Sequence, residues 1–264
     1  KGDTLYFARP RLFNNLKKVP DDMWQLAKSP FQKDNLPALA VLGVSTAALI
    51  IKDQAIIDGV RRVSDNIGLD PDTKYDVLVK AGSTKIIKLP LNLNTALYQL
   101  GEGGTSMVLA GGIWVYGKFA KDYRALNTAT DLAETFVTLG VTTQIMKRIS
   151  GRESPFMSTR PGGKWSPFPS FSEFQTNTSA YDAFPSGHLS TLMATITVLR
   201  KNYPEKRWIT PVGYSIMALS AWAMMNTEVH WAGDYPLAIA IGYISGKITT
   251  MRHKRKPVIK RVQL

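Results

Sequence analysis

Cysteine is absent from this 264-residue chain. No disulfide framework holds the fold, and no thiol pattern reports its redox compartment. Histidine is scarce, with three in all, at positions 188, 230 and 253. Internal repeats and low-complexity arrays are missing. Hydrophobic runs long enough to cross a bilayer, which need about 20 apolar residues, are at best barely reached. Ile209 to Thr227 carries no charge but contains Ser215, Ser220 and Asn226, and Leu36 to Ile51 is short. Mean hydropathy is −0.10, too polar for a bundle of mostly lipid-facing spans. Both runs are read as buried helices of a soluble bundle.

Acidic residues are outnumbered: 20 Asp and Glu stand against 33 Lys and Arg, for a net charge of +13. Part of the excess lies at the end, in Arg252, Lys254, Arg255, Lys256, Lys260 and Arg261. Such a tail can touch anionic lipid at a membrane surface, and its alternative is a solvated tail. Nucleic acid is not the expected partner. The positive potential favours phosphorylated substrates. The chain opens at Lys1 with neither an initiator Met nor an apolar leader core. That fits an exported, periplasmic bacterial protein, soluble or membrane-peripheral rather than integral.

Periodicity and breakers give an all-α chain with three parts: an irregular, short-helix segment at 1–35, a helical domain at 36–250 and the basic tail at 251–264. Pro20 with Asp21 and Asp22 opens a short helix through Lys28. Asp34 or Asn35 caps a helix to about Lys52, and Asp53 to Ile67 forms another, ended by Gly68. Tyr75 to Lys80 can be helical, and Ile86 to Leu91 is a short apolar piece. Helices follow at 101–116 and 125–150. Residues 152–184 form a long loop rich in Pro, Ser, Gly and aromatics, of the sort that makes a lid or binding loop. Its aromatic residues either cover a leaving group or pin the loop to the bundle. The last three helices start near Ser186, Thr210 and Asp234.

Two of the three histidines sit at helix starts. Pro185-Ser186-Gly187-His188 puts an imidazole in a first turn, where unsatisfied N–H groups favour an anion. Gly187 lets that backbone approach closely, and Ser186 can cap the helix or donate a hydroxyl. His230 and Asp234 are four apart, close enough for the carboxylate to fix the imidazole tautomer and leave the other nitrogen as base or nucleophile. The plainer alternatives are a capped helix with a structural histidine and a local His–Asp hydrogen bond. Lys147, at a helix C-terminus, is favoured there electrostatically and can also bind phosphate. No metal-ligand set is read.

Together these blocks resemble the type 2 phosphatidic acid phosphatase and vanadium-dependent haloperoxidase superfamily. Its pattern runs Lys–x6–Arg-Pro, Pro-Ser-Gly-His and Ser-Arg–x5–His–x3–Asp. Here Lys147, Pro185 to His188, His230 and Asp234 match in order, and the resemblance covers roughly residues 95–250. It implies a helical bundle of the acid phosphatase and haloperoxidase type, working without metal or other cofactor. His230 would attack phosphorus, Asp234 would orient it and His188 would protonate the leaving alcohol. Lys147, Ser186 and the Gly187 N–H would hold the phosphoryl oxygens. Vanadate or phosphate would fit the same cradle. The substrate implied is a lipid-linked or small organic phosphate, as monoester or diphosphate.

The sequence departs from the pattern at two arginines. Ser154 stands before Pro155, and Ala223-Met224 replaces Ser-Arg. Each charge-assisted contact is worth about 1.5–3 kcal/mol. Losing both costs roughly two to four powers of ten in transition-state binding unless something replaces them. Arg152 and Arg160 are the main candidates, with Arg148 and Lys164 behind them. The competing reading is a catalytically impaired member of the fold that binds an anion, lipid or protein partner.

Overall fold

The computed structural model describes residues 7–10, 15–82 and 84–253. The tail from Lys254 onward, Leu5 and Tyr6 lie outside the described residues. The fold is all-α, with nine α-helices and one small hairpin among the described residues.

Helix α1 (Val19–Lys28) has proline and two acids in its first turn. Helix α2 (Leu36–Asn66) is a single 31-residue helix where the sequence suggested two. Lys52-Asp53 interrupts the apolar run but is no helix breaker, so the chain stays helical until Gly68 turns it at φ 69°. The segment expected to be helical after it is a strand. β1 (Tyr75–Ala81) pairs antiparallel with β2 (Thr84–Pro90), with Tyr75 opposite Pro90. Tyr75, Val77 and Val79 alternate with Asp76, Leu78 and Lys80. That two-residue period of β-branched and aromatic residues outweighs local helix propensity.

Helix α3 (Leu93–Gly101), not separated from its successor in the sequence reading, is capped by Asn92, which accepts from the Thr95 N–H at 2.7 Å. Glu102 is extended and breaks the chain before α4 (Gly103–Phe119). Helix α5 (Tyr123–Ser150) begins at an Asp122 cap and ends at Gly151 in the left-handed conformation. Its polar interior residues are buried because Thr128, Thr130, Thr135 and Thr138 bond back to carbonyls one turn earlier. The long loop holds one short helix, α6 (Phe171–Thr176), started by a Ser170–Glu173 capping box.

The last three helices are α7 (Gly187–Asn202), α8 (Ile209–Asn226) and α9 (Tyr235–Arg252). α7 is the central rod, with Leu189, Ala194 and Val198 almost inaccessible to solvent. It lies flush on α9 because Gly242 carries no side chain. A Cβ there would stand 2.2 Å from the Ser190 carbonyl oxygen. This close approach sets the first turns of α7 and α9 side by side. At the far end, Arg252 pairs with Asp22 at 2.7 Å, and His253 Nδ1 meets Asp131 at 2.8 Å, closing α9 onto α1 and α5.

The apolar helices correct the expectation of buried runs. The Leu36 to Ile51 stretch is open, with Val44 72% and Ile51 78% exposed. Lys33–Asn66 is long and apolar enough to cross a membrane by length and composition, and its most apolar window is not buried. α4 exposes Val108, Trp114, Tyr116 and Phe119 as well. α8 is divided: Ala223 and Met224 are buried, Val212 and Leu219 are not.

Candidate active site

Three chain ends meet at one end of the bundle: the last turn of α5, the first turn of α7 and the turn before α9. The Ser186 N–H donates to the Asp234 carbonyl at 3.1 Å and ties two of them together. The His188 and His230 rings meet edge to face, with centroids 5.7 Å apart. Tyr98 of α3 covers His188 from another side, at 5.0 Å.

His230 is buried, and its Nδ1 stands 3.4 Å from Asp234 Oδ2. That oxygen also accepts from the Trp231 N–H at 2.8 Å. The other oxygen accepts from Arg152 Nη1 at 2.7 Å. The carboxylate is thus fixed by two strong donors, and the imidazole leans on it through Nδ1. A carboxylate so placed sets the tautomer and leaves Nε2 free.

Arg152 is wholly buried, and its place differs from the phosphate-binding one expected. Its second terminal nitrogen donates to Asp53 Oδ2 at 2.5 Å and to the Gly162 carbonyl at 2.8 Å. Trp165 and Trp231 flank the guanidinium at 4.8 and 5.3 Å. It serves the far side of Asp234 instead of an anion cradle, because two buried carboxylates outcompete an open cleft for one buried cation. Arg160 is exposed and reaches the Gly163 carbonyl at 3.5 Å, with no contact to the histidines. Arg148 bonds Gln144 and stacks on Phe174 at 4.1 Å.

The expected cradle is partly assembled. Ser186 caps α7, accepting from the Leu189 N–H at 3.4 Å. Its hydroxyl also faces Met224 Sδ at 3.9 Å, at the position where the resemblance leads one to expect an arginine. Open space lies beside Gly187. Lys147 is held by Asp182 at 3.1 Å. A second cation went unnoticed in the sequence: Lys88 of β2, held by Glu102 at 2.6 Å. Burial among these groups, and then the charges of His230, Lys147 and Lys88, lower the His188 pKa to about 3. Its imidazole is therefore neutral at pH 7. Burial pushes the Tyr98 phenol up, with Glu102 and Asp182 adding to the effect.

The loop aromatics divide as well. Phe174 is buried and stacks with Tyr181, and Trp165 packs on Phe184 at 5.3 Å, so these pin the loop. Phe168 and Phe171 are exposed. Beside the site, a cavity of about 610 Å³ runs between α3, α4, α7 and α8. It begins at Leu100 and Leu192, one turn beyond His188, and reaches Tyr203 and Trp208.

Asp53, Lys88, Tyr98 and Asp182 were missed because no motif marks them. Asp53 had one signal, an acid set directly behind sixteen uncharged residues broken only by Lys52.

A lipid A 1-phosphatase of Porphyromonas gingivalis is 26% identical to this chain over 80 residues. The match spans 30% of this chain and only 18% of that protein, well under two thirds of the relative's length. No solved structure gives a significant match. The sequence profile of the PAP2 superfamily matches residues 128–257, the stretch that holds Lys147, Ser186 to His188, His230 and Asp234. On that segment, with its motifs in order and its two histidine rings edge to face, the chain belongs to the PAP2 superfamily.

Proposed function

We propose that this protein is a phosphatase that cleaves a lipid-linked phosphate through a phosphohistidine on His230. The observation that carries the reading is the pairing of His188 with a carboxylate-backed His230, the rings edge to face at 5.7 Å. His230 Nε2 attacks phosphorus as the P–O bond to the leaving group breaks. His188 gives its proton to the departing oxygen. It must first acquire that proton, and an incoming phosphate supplies the negative charge that raises an imidazole pKa. Water then attacks the phosphohistidine with His188 as base. Lys147 and the α7 N-terminus stabilise the equatorial oxygens, which is most of what phosphoryl transfer requires.

A lipid-linked leaving group is favoured over a small one for two reasons. The apolar cavity opens one helical turn from His188. α2 and α4 each expose large apolar side chains, among them Val44 and Ile51 on the first and Val108 and Phe119 on the second, which suits work against a lipid surface. Purified protein is expected to release phosphate from a long-chain lipid phosphate in detergent micelles and, more slowly, from an aryl phosphate. His230→Ala should abolish both and remove an acid-labile phosphoenzyme. Equal turnover in that variant would sink the mechanism.

A second reading has its own observation: Met224 and Ser154 leave the cradle without its two arginines. Then the site binds an oxyanion and turns nothing over. Vanadate binding with no phosphate released from a broad panel of esters identifies that case.

A further inference from the structure

Asp53 lies outside the segment that matches the PAP2 superfamily. It is on α2, 99 residues from Arg152 in sequence, and is wholly buried. Its Oδ1 accepts from the Gly233 N–H at 2.7 Å, and its Oδ2 from Arg152 at 2.5 Å. Arg152 passes the contact to Asp234, and Asp234 to His230. Gly233 admits this arrangement because a Cβ there would stand 2.7 Å from Ile50 Cγ1 and 2.8 Å from Asp53 Oδ2. One side chain of α2 thus holds both the backbone before Asp234 and the guanidinium behind it.

We propose that Asp53 is a positioning residue for His230, acting through Arg152 and Asp234, so that the orientation of the nucleophile depends on the seating of α2. The proposal rests on the reading of His230 as nucleophile. A buried cation shared by two carboxylates leaves neither oxygen free to rotate, since breaking either contact strands a buried charge. Without Asp53, Arg152 has one carboxylate partner in place of two and is free to pull Asp234 away from Nδ1. The turn carrying Gly233 loses its anchor at the same time. The effect belongs to the chemical step and not to substrate capture, because Asp53 lies behind Asp234 and touches no phosphate site.

The test follows His230 directly. The protein is labelled with 15N-histidine, and the ring resonances of His230 are compared with those of Asp53→Asn, Arg152→Lys and Val60→Ala. Val60 is buried on the same helix, two turns beyond Asp53 and without a hydrogen-bonding side chain, and controls for general destabilisation. Asp53→Asn and Arg152→Lys are expected to shift the His230 tautomer balance and move its ring resonances. They should lower kcat about ten- to a hundredfold, as loss of an outer-shell partner commonly does, with KM within about twofold. Val60→Ala should lower Tm and leave the His230 signals in place. If Asp53→Asn fails to fold, Arg152→Lys carries the same expectation. Unmoved His230 resonances in the folded variants overturn the proposal whether or not the protein hydrolyses phosphate. Shifted resonances in a protein that turns over no ester keep Asp53 as a positioning residue and remove the hydrolase reading instead.

Discussion

The His188 imidazole lies edge to face with that of His230, 5.7 Å between centroids, and no hydrogen bond joins them in the structure. A gap of that size suits two groups that act on opposite sides of one phosphorus atom. The environments differ accordingly. His230 has a carboxylate behind it, whereas His188 has Tyr98 and two lysine charges.

The first prediction concerns acid stability. An unfolded histidine titrates near 6.5, and His188 in the fold near 3. Between those values the unfolded chain binds the extra proton. His188 therefore contributes stability that is complete above pH 6.5 and is lost as pH falls toward 3. His188→Gln should flatten that limb of the Tm-against-pH curve. An unchanged acid limb in the variant would show that the imidazole is not held neutral.

Glu134 supplies the opposite slope at the other end of the bundle. Burial, then Asp22 and Asp131, raise its carboxyl to about 8 against an ordinary 4.5, while Arg252 works against them. His253 also faces it at 3.5 Å. Here the folded chain holds the extra proton, so stability declines as pH rises from 4.5 through 8. Glu134→Gln should melt higher than the parent protein at pH 9 and gain little at pH 5. A variant that loses Tm equally at both values would refute a protonated Glu134.

Much of this arrangement was legible in the sequence, and the reasons are local. Pro185 to His188 and His230 to Asp234 are helix-start motifs, where capping chemistry fixes the backbone within a few residues, so the meeting of the histidines followed from spacing and order. Arg152 was misjudged because its partners, Asp53 and Asp234, lie 99 and 82 residues away. A charge count along the chain cannot say which carboxylate a buried guanidinium finds. The hairpin was missed at Tyr75 to Lys80 because six residues hold too little periodicity to separate strand from helix. The Leu36 to Ile51 run was assigned to the interior on apolarity alone, which reports a preference to leave water but not what replaces it.

Met224 offers a gain-of-function test. It is buried 3.9 Å from the Ser186 hydroxyl, beside the N-terminus of α7. Met224→Arg would bring a guanidinium to the wall that lacks one. A charge-assisted contact of about 1.5–3 kcal/mol corresponds to roughly a ten- to hundredfold gain in oxyanion affinity. Vanadate titration by calorimetry measures it. No gain in a folded variant would mean that the anion sits away from Ser186.

The apolar cavity makes the last prediction, on chain-length selectivity. Its walls include Leu109 of α4 and Ile196 and Leu199 of α7, with almost no polar lining to fix a headgroup. An alkyl chain entering there leaves water at about 0.8 kcal/mol per buried methylene. Leu109→Trp fills the channel without touching His188 or His230. KM for a long-chain lipid phosphate should rise about tenfold or more, while an aryl phosphate, too short to enter, should be turned over as before. The split between the two substrates is what matters: a loss shared equally by both would indicate a disturbed active site, and no loss in either would place the lipid chain on another face of the bundle.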